Sequence, residues 1–296
     1  MKAVDLFCGC GGMSLGFENA GVDILCAYDN WDVAIAIYNQ NFDHKAIKED
    51  LYSADAVSTI RAYKPDMIFG GPPCQDFSIA GKRNIGKRGN LTIRFAEIVA
   101  DIKPTWFVME NVYNIERMPV LPKAIEILRN AGYGITTQVL DASYCGVPQA
   151  RHRFFMIGKL GEEDGFLTEK LISGLSEKPL TVRQYLGDKL GTDFYYMHPR
   201  SYNRRAVFSV DEPSATIRGI NRPIPQGYKK HPADKADVAD GKVRELTTKE
   251  RSLLQTFPES FVFSGSKTDM EQAIGNAVPV KLAEYVAKAI MSYEHA

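Results

Sequence analysis

Short apolar runs alternate with stretches of helical periodicity over the first 160 residues. The apolar runs are too short for helices and predict four buried strands, at Ala3–Phe7, Ile24–Tyr28, Met67–Phe69 and Trp106–Met109. The periodic stretches predict a helix after each strand, at Met13–Ala20, Trp31–Asn41, Leu91–Ile102 and Lys123–Ala131. Strands and helices in turn indicate an α/β fold with a doubly wound, mostly parallel sheet.

This pattern breaks near Gly161. Residues 161–245 are rich in Gly, Pro and Asp and contain only short extended pieces such as Ala206–Val210. Helical periodicity returns at Lys249–Gln255 and again at Val280–Tyr293, which follows Pro279. We therefore expect a large domain over residues 1–165, completed by a C-terminal helix within 268–296. A smaller, irregular, β-containing domain is expected over 166–267.

Composition narrows the class of protein. The chain has 296 residues, of which 45% are hydrophobic and 24% charged, as expected for a globular core. It contains no apolar run of membrane-spanning length, and Asp5 interrupts any signal-peptide core. Its five cysteines are too few and too scattered for a disulfide framework or a zinc site. We expect a cytoplasmic monomer with no membrane contact and no metal.

Charge is balanced overall but not locally. The 36 basic and 36 acidic residues cancel, which alone argues mildly against a nucleic-acid partner. Residues 196–231, however, hold seven Arg and Lys residues against Asp211 and Glu212, a local charge of 7 − 2 = +5. Such a stripe in a neutral chain is typical of a DNA-facing surface. An ordinary solvated face explains it equally well.

The ends of the first two strands suggest a nucleoside site. Residues 7–12, Phe-Cys-Gly-Cys-Gly-Gly, form a turn that lets a ligand approach the backbone at a helix N-terminus. Ser14 departs from the dinucleotide fingerprint, so a cofactor without a pyrophosphate fits as well as NAD. A tight structural turn is an equal alternative. Asp29 and Trp31 follow the second strand and can bind a ribose and an adenine, or act as a helix cap and a core anchor.

Candidate chemistry follows the next two strands. Cys74 comes after Pro72 and Pro73 at a strand end, where a loop-borne thiolate can act as a nucleophile. A buried structural cysteine is the alternative.

The basic, glycine-hinged segment 81–90 predicts a lid that closes over phosphates. Glu110 ends the following strand at the same edge, where a raised pKa would make it a proton donor.

A third polar group precedes the apolar run Phe154–Ile157. Gln149, Arg151 and Arg153 alternate along the chain, so an extended backbone places them on one face. They belong either to a functional face or to a surface edge with solvated arginines.

Five short motifs stand in a specific order along the chain, at residues 5–12, 72–75, 110–112, 149–153 and 275–279. Together they resemble the DNA cytosine-5 methyltransferases of bacterial restriction–modification systems, over about residues 1–160 and 243–290. The resemblance implies methyl transfer from S-adenosyl-L-methionine to carbon 5 of a flipped cytosine in a short, specific sequence of double-stranded DNA. It also implies a covalent cysteine adduct, a catalytic and cofactor-binding domain at 1–165, and a target-recognition domain at 166–267. A cognate endonuclease acting on the same DNA site is a possible partner.

The resemblance further implies roles for matching residues. Cys74 is the expected nucleophile, Glu110 the acid on the Watson–Crick edge, and Arg153 the ligand of the base carbonyl, with Arg151 as its catalytic neighbour. Relatives carry an acid directly before the adenine-stacking residue; here Asn30 stands there, so Asp29 or Asn30 binds the ribose. The expected cofactor contacts are Phe7, Gly9, Gly11, Gly12, Asp29, Asn30, Trp31, Asp50, Leu51, Pro73, Leu91, Asn276 and Ala277. The expected DNA contacts are Gln75, Ser78, Lys82, Arg83, Arg204, Thr216 and Arg218.

Three other functions compete with this one. An RNA (tRNA) cytosine-5 methyltransferase of this type would carry Cys-Phe-Thr, but Cys145 is followed by Gly146 and Val147, which favours DNA. A catalytically silent DNA-binding regulator would be expected to lack Cys74 or Glu110, and both are present. A dehydrogenase is disfavoured by Ser14 and gives no reason for the Pro-Pro-Cys sequence.

Overall fold

A computed structural model describes residues 1–53, 55–73, 91–201 and 203–295. Seven of its strands form one sheet: β1 (Lys2–Leu6), β2 (Asp23–Asp29), β3 (Ala46–Lys48), β4 (Met67–Gly70), β5 (Trp106–Val112), β6 (Tyr133–Asp141) and β7 (His152–Leu160). Their order is β3-β2-β1-β4-β5-β7-β6. All neighbours pair in parallel except β7, which runs antiparallel to β5 and to β6. The predicted mostly parallel α/β sheet is confirmed.

Alternate residues of each strand point to opposite faces of this sheet. Both faces are apolar, and helices cover both of them. Trp106 and Val108 pack in one hydrophobic cluster, and Phe107 and Met109 in the other. No helix in the described ranges is long and apolar enough to cross a membrane. The helices of this part are α1 (Gly12–Asn19), α2 (Asp32–Asn41), α3 (Ala56–Ala62), α4 (Leu91–Ile102) and α5 (Val120–Asn130).

Residues beyond β7 form a smaller three-stranded sheet and further helices. The small sheet has the order β10-β8-β9, with β8 at Phe194–Tyr196, β9 at Val207–Ser209 and β10 at Val243–Glu245. The extended piece expected near Val207 is therefore present. The range 268–296 holds two helices rather than one, because Ala277 and Pro279 are extended between them. The helices of this part are α6 (Thr168–Ser173), α7 (Val182–Leu186), α8 (Thr248–Leu254), α9 (Lys267–Asn276) and α10 (Val280–Glu294).

The strand order brings the candidate chemistry to one edge of the main sheet. Strands β1, β2, β4 and β5 are parallel, so their carboxyl ends meet there. Strand β7 runs the other way, and its first residues reach the same edge. Arg153 consequently pairs with Val112, two residues after Glu110. Residues 110 and 153 thus become neighbours because of the one antiparallel strand.

Candidate active site

A cleft of about 990 Å³ opens at the carboxyl ends of the parallel strands. Its walls come from the ends of β1, β2, β4 and β5, the segment after β3, and residues 273–278 at the end of α9. Every predicted cofactor contact except Gly11 lines it. These residues are Phe7, Gly9, Gly12, Asp29, Asn30, Trp31, Asp50, Leu51, Pro73, Leu91, Asn276 and Ala277.

The turn after β1 presents its backbone to the cleft. Phe7 and Gly9 both have left-handed backbone torsions, with φ of 64° and 55°. For a non-glycine residue such as Phe7 this conformation costs about 1–3 kcal/mol and is typical of functional sites. Gly12 lies directly against the opposite wall, where a Cβ atom would be only 2.3 Å from the carbonyl oxygen of Val278. The lack of a side chain at Gly12 therefore lets the two walls of the cleft approach each other.

Gly11, by contrast, faces away from the cleft. It is the N-cap of α1, and a Cβ atom added to it would overlap the ring of Phe42. Its predicted contact with a cofactor stays a prediction, but its side of the turn packs against the hydrophobic cluster under α2.

Asp29 joins the two turns that flank the cleft. One carboxylate oxygen accepts the backbone N–H groups of Asn30 and Trp31, at 2.8 and 2.9 Å. The other accepts the N–H of Gly9 at 2.8 Å. The alternative role of Asp29 as a helix cap is wrong, because α2 begins at Asp32 with Trp31 as its N-cap and without a side-chain bond.

Trp31 and Asn30 differ in burial beside Asp29. Trp31 is half-buried, packs against the cluster under α2 and also lines the cleft, so the anchor and stacking roles are compatible in one ring. Asn30 is exposed. A ligand could therefore reach either Asp29 or Asn30 from the cleft.

Asp5 lines the cleft, a position that the sequence reasoning did not predict. Its carboxyl group is fully buried, and one oxygen accepts a hydrogen bond from the Ser14 hydroxyl at 2.5 Å. The Tyr38 hydroxyl donates to Ser14 in turn, at 2.8 Å. Burial raises the pKa of Asp5 well above its ordinary value, and the bond from Ser14 offsets this only in part. The motif containing Asp5 was visible in the sequence, but its burial was not.

Glu110 and Arg153 form an ion pair at the β5 side of the cleft. Arg153 Nε lies 2.9 Å from Glu110 Oε1, and Glu110 is only 8% exposed. Burial raises the pKa of the Glu110 carboxyl above its ordinary value, although the guanidinium groups of Arg153 and Arg151 oppose the shift. The site therefore combines a carboxyl group that protonates more readily than usual with a fixed guanidinium donor.

Arg151 also lines the cleft and is 1% exposed. The alternative of solvated arginines is therefore wrong for it. Its guanidinium donates to the backbone carbonyls of Ile217, Gly275 and Ala277. Gln149, on the same face as predicted from its spacing, is buried as well.

Of the predicted DNA contacts, the three that the structure describes, Arg204, Thr216 and Arg218, do not line the cleft. The Thr216 hydroxyl donates to the carbonyl of Ala150 at 2.9 Å, and the Arg218 guanidinium donates to the carbonyl of His198. Arg204 is exposed after β8. The nucleophile candidate Cys74 and the predicted contacts Gln75, Ser78, Lys82 and Arg83 fall outside the described residues, as does the predicted lid at 81–90.

Sequence comparison decides the family. Residues 1–292 match the model of the C-5 cytosine-specific DNA methylases. The chain belongs to this family. The methyltransferase is 58% identical over 296 residues to the Type II methyltransferase M.HindV of Haemophilus influenzae, covering 99% of this chain and 97% of that one. It is 53% identical over 295 residues to M.HgiDI of Herpetosiphon aurantiacus, with 99% and 95% covered.

Solved structures share the fold of this methyltransferase. The Dnmt2 methyltransferase of S. pombe superimposes with a TM-score of 0.74 at 20% identity, over the full length of both chains. A putative DNA modification methyltransferase from an E. coli prophage gives a TM-score of 0.69 at 21% identity, also over full length. At this identity the likeness establishes the fold alone. Family membership makes the chain an enzyme that methylates DNA at cytosine carbon 5, and it implies S-adenosyl-L-methionine as methyl donor.

Proposed function

We propose that the enzyme methylates carbon 5 of a flipped cytosine within a short, specific sequence of double-stranded DNA, through a covalent adduct with Cys74. We further propose that this methylation protects the DNA from a cognate restriction endonuclease. The observation that carries the proposal is the buried Glu110–Arg153 pair at the cleft, 2.9 Å apart. This pair offers a protonatable carboxyl group and a guanidinium to one edge of a planar base, which is the recognition that cytosine requires.

The cleft fits S-adenosyl-L-methionine in size and in chemistry. Its volume of about 990 Å³ lies at the upper end of the range for small-molecule sites. Trp31 would contact the adenine, Asp29 or Asn30 the ribose, and the turn at Phe7 and Gly9 the amino-acid end. When bound, the cofactor supplies an electrophilic methyl group on a sulfonium sulfur.

The proposed chemistry divides a difficult substitution into easier steps. The Cys74 thiolate forms a bond to cytosine carbon 6, while ring nitrogen 3 takes a proton from Glu110. Electron density then reaches carbon 5, which takes the methyl group as the carbon–sulfur bond of the donor breaks. A base removes the proton from carbon 5, the Cys74 thiolate leaves to restore the double bond, and nitrogen 3 returns its proton.

Base flipping is part of the proposal because the stacked base is out of reach. Carbon 6 of a stacked cytosine lies inside the duplex, and extruding a base costs a few kcal/mol. The bond from Arg153 to the base carbonyl and the bond from Glu110 to nitrogen 3 would offset part of this cost. Both side chains are already held against each other, so little reorganisation is needed when the base arrives.

The test begins with the DNA site. Bisulfite sequencing of DNA from cells that express the enzyme should show methylated cytosine at one short sequence. That sequence, made as a duplex with 5-fluorocytosine at the target, should form a stable protein–DNA adduct in the presence of S-adenosyl-L-methionine, because carbon 5 then carries no removable proton. Cys74→Ser should form no adduct and should keep its affinity for the duplex.

The controls separate the competing functions. A tRNA substrate assayed in parallel should remain unmethylated, and methylation of tRNA but not of duplex DNA would replace the proposal by the RNA function. Turnover by Cys74→Ser, or the lack of an adduct with an active wild-type enzyme, would refute the covalent mechanism. DNA from expressing cells should also resist an endonuclease that cleaves at the methylated sequence.

A further inference from the structure

The side chain of Arg151 joins three segments that are distant in the chain. Its Nη1 donates to the carbonyl of Ile217 at 2.8 Å. Its Nη2 donates to the carbonyls of Gly275 at 3.1 Å and Ala277 at 2.9 Å. The guanidinium thus spans from the segment 214–218, which contains predicted DNA contacts, to the cleft wall at 275–277. All these bonds are to backbone atoms.

The residues just before Arg151 strengthen the same junction. Gln149 accepts a bond from the N–H of Ile217 at 2.9 Å and donates to the side chain of Gln255 at 2.8 Å. The backbone of Ala150 donates to Ser214 at 2.8 Å, and Ser214 donates to Pro148 at 2.9 Å. Residues 148–151 therefore run beside residues 214–217 and are bonded to them by both backbone and side chains.

Gly275 shows how closely the cleft wall at 275–277 approaches the residues that follow Ile217. A Cβ atom at this position would lie 2.1 Å from the backbone nitrogen of Gly219 and 2.2 Å from the carbonyl carbon of Arg218. Backbone packs directly on backbone here, so the segments cannot shift independently. Asn276 and Ala277, the next two residues, line the cleft.

We propose that Arg151 is a positioning residue: it fixes the segment 214–218 and the cofactor wall 275–277 against β7, and it does not bind the reacting base. The inference rests on the proposed function, since it assigns DNA to the first segment and S-adenosyl-L-methionine to the second. Arg153, two residues later, is held separately by its ion pair with Glu110, so loss of Arg151 should affect binding more than the reaction rate. Cofactor affinity and DNA affinity therefore both depend on Arg151.

An arginine is required for this role. The planar guanidinium presents several N–H donors in fixed directions, so it can bond three carbonyls from different segments. A lysine ammonium is a single point on a flexible chain and cannot hold the same three oxygens. Burial lowers the pKa of Arg151, and the nearby Glu110 carboxyl opposes this shift. The three carbonyls and Glu110 thus partly compensate a guanidinium that is removed from water, while its buried Nε has no hydrogen-bond partner among the described residues.

The test compares Arg151→Lys with Arg153→Lys. For each variant, calorimetry gives the affinity for S-adenosyl-L-homocysteine, and fluorescence anisotropy gives the affinity for the duplex. Single-turnover rates are measured with both ligands saturating. Arg151→Lys should weaken both affinities by about tenfold, as expected for lost charged hydrogen bonds, and lower the saturated rate by only about threefold. Arg153→Lys should show the opposite pattern, with affinities kept and the rate much reduced.

The outcomes separate this inference from the proposed function. A wild-type enzyme that does not methylate the duplex refutes the proposed function. An active wild type, with an Arg151→Lys variant that binds both ligands normally but reacts slowly, makes Arg151 catalytic and overturns the inference. If Arg151→Lys does not fold, Thr216→Val tests the same junction, since it removes only the bond to Ala150. It should weaken S-adenosyl-L-homocysteine binding two- to threefold. A residue that contacted only DNA would leave this affinity unchanged. An unchanged affinity would therefore show that residues 214–218 are not coupled to the cofactor wall, and it would overturn the inference.

Discussion

The cleft and the region around the small sheet both use arginine, but they hold it differently. In the cleft, Arg151 and Arg153 are fixed by carbonyls and by Glu110 before any substrate is present. Around the small sheet, Arg204 is exposed and has no ion pair within the described residues. Chemistry at one atom requires side chains that are already in place, whereas binding to a regular phosphate backbone tolerates mobile charges.

Neighbouring residues show the same contrast within the small-sheet region. Arg205, next to Arg204, donates three hydrogen bonds to the carboxylate of Glu212, each 3.0 Å long. Its guanidinium also lies 4.4 Å from the centre of the Phe208 ring. The local charge of +5 expected from the sequence therefore overstates the charge available to DNA, since part of it is used within the protein.

The largest expected effect is the loss of methylation rate on replacing Glu110, the proposed proton donor. Glu110→Gln keeps the size of the side chain but cannot donate a proton to ring nitrogen 3. We expect the single-turnover methylation rate to fall between about 100-fold and 10,000-fold, the usual contribution of general acid catalysis. Rapid-quench assays with a radiolabelled methyl donor measure this rate.

Binding provides the control for that variant. The affinity for S-adenosyl-L-homocysteine should stay within about twofold of wild type, because Glu110 lies at the β5 side of the cleft, away from the turns at Gly9 and Asp29. A Glu110→Gln enzyme that keeps more than a tenth of the wild-type rate would mean that nitrogen 3 receives its proton from another group.

The raised pKa of Glu110 leads to a second prediction, with a smaller expected effect, about the free energy of unfolding. Its carboxyl has a higher pKa in the folded protein than in the unfolded chain, so the folded state binds more protons between these two pKa values. The free energy of unfolding should therefore decrease as pH rises through this window. Glu110→Gln should lack this part of the decrease.

Urea denaturation of both proteins over a series of pH values measures this difference. The stability of wild type relative to Glu110→Gln should be highest below the ordinary carboxyl pKa and should decline above it. A relative stability that rises with pH would show instead that Arg153 dominates and holds the Glu110 pKa below its ordinary value.

Much of the fold and of the cleft was predictable because the relevant signals are local. Buried strands appear as apolar runs, and the residues that follow them necessarily meet at one sheet edge. Hence Phe7, Asp29 and Glu110 were all expected at one site. Strand β6 was not predicted, because Thr136, Thr137 and Gln138 interrupt its apolar pattern, and β3 has only three residues.

The junction at Arg151 could not be predicted in the same way. Alternation placed Gln149, Arg151 and Arg153 on one face, but it does not reveal what packs against that face. The partners of Arg151 lie between 66 and 126 residues further along the chain. Only the folded arrangement distinguishes a buried arginine that bonds carbonyls from a solvated one, which is why both alternatives stayed open at the level of sequence.

The smallest expected effect separates Arg204 from Arg205. Arg204→Ala removes an exposed charge that the protein itself does not use, so the duplex affinity should fall a few-fold. The slope of log affinity against log salt concentration should become shallower by about one, because one fewer counterion is released from the DNA. Fluorescence anisotropy between low and moderate salt measures both quantities.

Arg205→Ala is the matched control, one residue away. Because Glu212 already neutralises Arg205, its removal should leave the salt slope within about 0.3 of wild type while lowering the melting temperature, since Glu212 and Phe208 lose their partner. Equal slope changes in the two variants would mean that DNA displaces Glu212 and recruits Arg205. In that case the region around the small sheet, unlike the cleft, would rearrange its charges on binding.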